Sequence, residues 1–407
     1  MNSNETFHVA VIGGGLVGAA TALALLRQGL RVALIEKHAA SVPEETWDTR
    51  IYAISPASED LLRDLGAWQR MDASRLQAVY RMDVQGDADG QLRFDAYESG
   101  VGRLATILES GRLQHALWQA IADVDEAALL CPAEIESIEW GMPVSTLHLS
   151  NGSLLRAELV IGADGARSRV RDMAGLTHTA LPYQQHGVVA NFACEIPHRG
   201  TAFQWFSDGD IVAYLPLSGH TNPHGLEPVA DRSPLAGNRM SLVWSTSDSH
   251  AQALLALDTD AFVERVEEAG VRRLGKLQLL TKPAAFPLRL IRVEQAVAPG
   301  LALAGDAAHG IHPLAGQGVN LGFGDVAALR EVLAGRGSAR CGDERLLARY
   351  ARQRAFPVMQ MQGAMHGLYH VFNTSGAAWP RNMGMNILDH LGFAKSSLVR
   401  EATRFSQ

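Results

Sequence analysis

Only three cysteines occur in the 407 residues, at Cys131, Cys194 and Cys341. Their wide spacing excludes a disulfide framework or a cysteine metal cluster and suits a reducing compartment, with the cytoplasm as the default. A basic excess is missing too. The 36 Lys and Arg against 43 Asp and Glu leave a formal charge of −7, without the electrostatic footprint of a nucleic-acid binder. There are no internal repeats, and no G-x-S-x-G, H-E-x-x-H or C-x-x-C, which removes the common hydrolase, metalloprotease and thiol-redox readings. His220 and His224 have no carboxylates or cysteines patterned around them and sit in a stretch, Ser218 to Asn238, that reads as a long solvated loop, so no metal site is expected. Long apolar runs are scarce. Val9 to Leu26 is uncharged for eighteen residues, but its four glycines and the acidic flank at Glu5 argue against a membrane span or signal segment. The expectation is a soluble protein, or one peripheral at the inner face of a membrane.

What the chain does have is glycine in three distant motifs. Phe7 to Ile12 reads as a buried strand, followed at once by Gly13-Gly14-Gly15-Leu16-Val17-Gly18 and an Ala- and Leu-rich helical run to Gln28. In that setting Gly13 permits a tight turn, Gly15 lets a pyrophosphate approach the backbone, and Gly18 lets the helix pack closely, with the free N–H groups of the helix start facing the phosphates. Arg31 to Ile35 forms a second strand ending in Glu36-Lys37, and Glu36 is suited to accept hydrogen bonds from an unphosphorylated ribose. The second motif is Gly162-Ala163-Asp164-Gly165. The third is Gly305-Asp306-Ala307-Ala308-His309, running into Pro313-Leu314-Ala315-Gly316-Gln317-Gly318-Val319-Asn320. Together, in this order, they describe one extended cofactor held at both ends, and FAD fits.

The fold expected is α/β: a Rossmann-like FAD-binding domain with an inserted, mostly-β substrate domain and C-terminal helices. Residues 1–180 and 296–340 form the two parts of the FAD domain, 181–295 the sheet and 341–407 a helical region. Helices are expected over Pro56 to Leu65, Leu113 to Ile121, Asp260 to Ala269 and Val319 to Leu333. Strands are expected at Glu134 to Ile138, Ser145 to Leu149, Leu154 to Ile161, Gly187 to Cys194, Ile211 to Leu217, Met240 to Ser245 and Leu301 to Ala304, with Ser150-Asn151-Gly152-Ser153 as a hairpin turn. The first and third motifs must then meet in space across nearly 300 residues of chain.

Gly162 to Gly165 with Ser168 and Arg171, the Gly305-Asp306 pair, and His312 to Gly322 with Asp325 resemble the aromatic-ring flavin monooxygenases, the group of para-hydroxybenzoate hydroxylase. Within them, Asp48-Thr49-Arg50 leading to Ala53-Ile54-Ser55, Leu65-Gly66-Ala67-Trp68 and Leu113-Gln114-His115-Ala116-Leu117-Trp118 are similar to the ubiquinone-biosynthesis hydroxylases. The resemblance implies that Asp306 accepts from the ribityl hydroxyls of FAD. It also implies that Arg50 contacts the cofactor, with a surface ion pair to Asp48 or Glu45 as the plainer reading. Asp164 would serve both FAD and the nicotinamide donor; Arg167, Arg169 and Arg171 would add phosphate affinity or form a solvated helix face. Pro313, Gly316, Gln317 and Gly318 would form the flavin-face loop, with Val319 and Asn320 opening a helix whose N-terminus favours negative charge on the reduced ring. Glu109-Ser110 departs from the Glu-Asn usual in the close relatives. Of His309 and His312, His309 reads as a packing and hydrogen-bonding residue behind the motif.

The activity so implied is hydroxylation of the ring of a polyprenylated phenol in ubiquinone biosynthesis: a donor reduces FAD, O2 adds to give a C4a-hydroperoxyflavin, and its terminal oxygen passes to the ring. The donor is NAD(P)H or another electron source, since no second G-x-G-x-x-G opens a nicotinamide domain. Other readings are a flavin monooxygenase for another small aromatic, a flavin oxidase or dehydrogenase, and a non-catalytic FAD-binding member of a biosynthetic complex. Alternation sends Phe203, Trp205, Tyr214 and Pro216 to one face, either a substrate cleft or ordinary sheet core. Near the C-terminus, Met359, Met361, Met365 and Leu368, then Met383, Met385, Ile387, Leu391 and Leu398 with interspersed basic residues, suit either docking on a membrane or a biosynthetic complex, or capping of the FAD domain.

Overall fold

The structure is a computed structural model that describes residues 6–207, 209–219, 238–311, 318–373 and 378–403. His220 and His224, like His312, Pro313, Gly316 and Gln317, lie outside the described residues.

The first layer is a mostly parallel sheet in the spatial order 297–298, 301–303, 154–162, 6–12, 32–35, 127–130. Its central strand Thr6–Ile12 is buried along nearly its whole length, with Val9 and Val11 under the helices Leu16–Leu26 and Gly318–Ala334 and Phe7, Ala10 and Ile12 packed against Ile135, Leu147 and Leu149. The registers Ile12↔Gly162 and Gly162↔Leu303 place the ends of three neighbouring strands in one row. Because those strands are parallel, the three glycine motifs that follow them emerge side by side at the carboxyl edge of the sheet, where open α/β sheets bind ligands. The first and third motifs touch: a Cβ at Gly322 would come within 2.5 Å of Val17, and one at Gly305 within 3.2 Å.

The second layer is a nine-stranded sheet in the order 309–310, 284–293, 178–194, 239–247, 210–217, 201–207, 81–85, 91–95, with 277–279 beside 178–194. It extends beyond a single insertion at 181–295: Arg81–Gln85 joins Thr201–Ser207 in parallel, and Gln91–Asp95 forms the outer edge. Helices Asp248–Ala256 and Thr259–Ala269 cover one face of it. The other face meets a three-stranded sheet (51–54, 105–109, 77–79) through Ala202 and Leu217, and the C-terminal helices through Phe206 and Ile211.

Those helices dock by polar as well as apolar contacts. Along Ala378–His390, Asn382 accepts from Gly90 N (3.0 Å), Asn386 from Gln91 N (2.8 Å) and Asp389 from Arg93 N (2.9 Å). At spacings of four and three residues these side chains share one helix face and satisfy N–H groups along an edge strand that would otherwise invite another chain. Met365 and Met385 are buried against Phe206 and Val84. Met383, Ile387, Leu391 and Leu398, by contrast, are 42 to 52% exposed. One face of the C-terminal region thus packs on the fold and another meets solvent. Among the described residues no helix is long and apolar enough to cross a membrane.

Candidate functional site

At the row of strand ends, Gly13 adopts φ +104°, and a Cβ there would press on the Ala163 carbonyl and lie 2.9 Å from Asp164 Cα, so only glycine lets the first and second motifs close on each other. A Cβ at Gly18 would strike the Gly13 carbonyl. Gly15 differs. It is the N-cap of helix Leu16–Leu26 with ordinary φ −67°, no side chain caps the helix, and a Cβ there would meet nothing within 4 Å. The turn is thus packed on one side and open on the side that the helix N-terminus faces, an opening suited to a phosphate. Helix Ser110–Ala122 fixes the turn from the side, with Gln114 Nε2 and Trp118 Nε1 both donating to Gly14 O at 2.8 Å. Glu36 Oε2 accepts from Gly14 N at 2.5 Å, which brings its carboxylate beside the turn. Leu16 and Val319 are core residues, and Lys37 is exposed and paired with Glu134 at 2.7 Å.

In the second motif, Asp164 accepts from Ser168 Oγ (2.5 Å) and Val170 N (3.1 Å), capping the start of Arg169–Met173. Arg171 belongs neither to a solvated face nor to a phosphate site. It is 2% exposed, and its guanidinium donates to Ala307 O (3.0 Å) and Ala166 O (3.2 Å), bracing the second motif against the third. Arg167 and Arg169 are exposed.

In the third motif, the Asp306 carboxylate reaches solvent in the cleft and has no hydrogen-bond partner among the described residues. The protein walls around it raise its pKa above the ordinary carboxylate range, the Asp325 charge adds to that shift, and His309 opposes it. Burial likewise raises the Tyr52 phenol, with Arg50 opposing and Asp306 and Asp48 adding. Arg50 and Asp306 thus both stand within electrostatic reach of Tyr52. His309 is buried, and its Nε2 lies 2.7 Å from Asp325 Oδ2, the supporting role read from sequence. Asn320 bonds Ser55 N and Ala53 O at 2.9 and 2.8 Å, tying the start of helix Gly318–Ala334 to the neighbouring strand end.

The strap carrying Arg50 is held by a buried ion cluster whose role is not legible in the sequence. Glu109, 1% exposed, accepts from Asp48 N (2.9 Å), Arg75 Nε (2.8 Å) and Nη2 (2.7 Å) and Arg112 Nε (2.8 Å). Arg75 lies over the Trp47 ring at 3.7 Å. Asp48 accepts from Arg50 N and Gly111 N, and Asn191 of the large sheet donates to Asp48 O at 2.8 Å.

Phe203, Trp205, Tyr214 and Pro216 do share one face, but it is the face under the two helices. The first three pack with Phe262 and Val266, Tyr214 Oη donates to Val266 O, and Pro216 pairs in register with Met240 of the same cluster. They are core and do not line the cleft. The opposite parity faces the FAD body: Val189, Val243 and Ala213 form one cross-strand row with Leu215 beside it.

The donor set of the first turn, the open space over Gly15 and the unpartnered Asp306 fit FAD. A family model described as an FAD binding domain matches residues 6–363. The chain is 35% identical over 410 residues to the 3-demethoxyubiquinol 3-hydroxylase of Escherichia coli (strain K12), covering 98% of this chain and 99% of that protein. It is 31% identical to the ubiquinone hydroxylase UbiL of Rhodospirillum rubrum, covering 98% and 90%. Among solved structures, the p-nitrophenol 4-monooxygenase PnpA of Pseudomonas putida DLL-E4 superposes with a TM-score of 0.75 at 19% identity, over 99% of this chain and 100% of that one. PqsL of Pseudomonas aeruginosa, a probable FAD-dependent monooxygenase, does so with 0.75 at 22%, over 94% and 100%. These two likenesses concern the fold.

Proposed function

This chain belongs to the FAD binding domain family and is an FAD-dependent aromatic-ring monooxygenase, and from that premise we propose that it hydroxylates the ring of a polyprenylated phenol on the way to ubiquinone. The observation that carries the reading is a sheet row of small apolar side chains, Val189, Val243 and Ala213, on the face turned toward the FAD body, without an acid, base or nucleophile in the row. Such a surface suits holding a ring and excluding water. FAD, when bound, supplies storage of two electrons and the activation of O2. Gly13, Gly14, Gly15 and Glu36 hold its adenosine and phosphate end. Asp306 accepts from its polyol, and Arg50 contacts the cofactor. The N–H groups at the start of Gly318–Ala334 favour negative charge on the ring. The reductant is NAD(P)H or another donor. Expression in strains each lacking one ring hydroxylase tests the reading: quinone synthesis should return in one of them, with the missing intermediate identified by mass. Restoration in none would argue for a different aromatic substrate.

A polyprenyl substrate resides in lipid, and the exposed face of the C-terminal helices is the surface proposed to meet the membrane. Met383, Ile387 and Leu391 recur every four residues on it, away from the Asn382 and Asn386 contacts. Ile387→Asn with Leu391→Gln should move the protein from membrane to soluble fractions while leaving FAD content and thermal stability unchanged. Unchanged fractionation would remove this surface from the account, and loss from a protein complex without loss of vesicle binding would assign it to a protein partner.

A further inference from the structure

Helix Glu344–Asn373 packs behind the third glycine motif. Tyr350 Oη donates to Leu303 O at 2.8 Å, and Gln362 Nε2 donates to Ile291 O at 2.7 Å. Between them Arg354 donates from Nε to Asp325 Oδ1 at 2.7 Å and from Nη2 to Leu321 O at 2.9 Å. Arg354 lies against the backbone of Gly324, where a Cβ would come within 2.8 Å of its guanidinium. The other oxygen of Asp325 accepts from Gly305 N at 2.8 Å and His309 Nε2 at 2.7 Å. Burial opposes a charged Asp325, yet His309 and Arg354 hold its carboxyl below the ordinary range. Asp306, one residue beyond Gly305, is a second carboxylate in the same region. Arg354 is the permanently charged group in contact with the Asp325 anion.

We propose that Arg354 is a positioning residue for the flavin. Through Asp325 it fixes the Gly305 N–H and the first turns of helix Gly318–Ala334, and it neutralises a buried carboxylate that would otherwise oppose the negative charge gained by the cofactor on reduction. Arg354 acts at one remove and does not touch the cofactor. The inference rests on FAD occupying this turn.

The test is spectroelectrochemistry of the FAD-loaded protein, with FAD affinity measured alongside. R354M should weaken FAD roughly tenfold, the scale of one charge-assisted contact, and shift the flavin midpoint potential to a more negative value. R354K, which keeps the charge but loses the fork, should keep a near-parental potential with weaker FAD. The double variant D325N/R354M removes the stranded anion, so its potential should return toward that of the parent although its stability does not. A purely structural role predicts lower thermal stability with one potential for parent, single and double variants, and that result overturns the proposal. If R354M does not fold, R354Q, a polar side chain of similar length that leaves the same Asp325 anion without its cation, takes its place: a more negative potential supports the proposal and a parental one overturns it. A parent protein that takes up no FAD contradicts the cofactor assignment instead.

Discussion

Gly15→Val should give a protein that folds and unfolds like the parent but no longer retains FAD. The effect is steric and local. Gly15 has a backbone conformation that valine adopts without strain, and an added Cβ meets no protein atom within 4 Å. The branched side chain therefore projects into the space over the helix N-terminus, where the phosphates of the cofactor need direct access to backbone N–H groups. An affinity loss on the order of 100-fold or more is expected, equal to about 3 kcal/mol. Gly18→Ala is the contrasting variant. Its Cβ collides with the Gly13 carbonyl, so it should damage the turn and the fold together. Flavin titration beside apo-protein melting separates the two cases. Full flavin retention in Gly15→Val would place the phosphates elsewhere.

Glu109→Ala should be the most destabilising single change near the site. Arg75 and Glu109 are 3% and 1% exposed, and Arg112 shares the same carboxylate. Removing the acid strands buried guanidinium charge, which typically costs about 3–5 kcal/mol. The strap through Asp48 and Arg50 is anchored on that carboxylate, so flavin content should fall along with stability. Urea unfolding of parent and variant reads the effect. A loss under about 1 kcal/mol, the scale of an exposed pair, would show that the cluster is not holding the strap.

Much of this architecture is legible in the sequence because period and punctuation agree. Ser145–Leu149 is found with the bounds that alternation assigns it, and Thr259–Ala269 and Gly318–Ala334 begin within a residue of their expected starts. The glycine motifs reveal the cofactor end of the fold because each marks a strand end where backbone must approach something closely. Other features resist reading for identifiable reasons. Alternation in Phe203-Gln204-Trp205 separates two faces of a strand but does not say which one two helices will cover; the apolar Phe262 and Val266, four residues apart, are the signal that such a cover exists. Arg75, Glu109, Arg171 and Arg354 look like surface charges one at a time, and only tertiary pairing makes them internal. Tyr350 and Arg354, one helical turn apart, show the inward face of their helix only once the helix is placed. The edge strand Gln91–Asp95 joins a sheet formed mainly more than 80 residues later, a pairing that local pattern does not encode.

This chain should transfer one oxygen atom from O2 to an aromatic ring. The most direct measurement is mass spectrometry of the product formed by the purified, FAD-loaded protein from a prenylated phenol and reductant under 18O2. The product should carry a ring hydroxyl with a single 18O and none from labelled water, and Gly15→Val should give no product. Oxygen consumed entirely as hydrogen peroxide with an unlabelled or unchanged ring would contradict it.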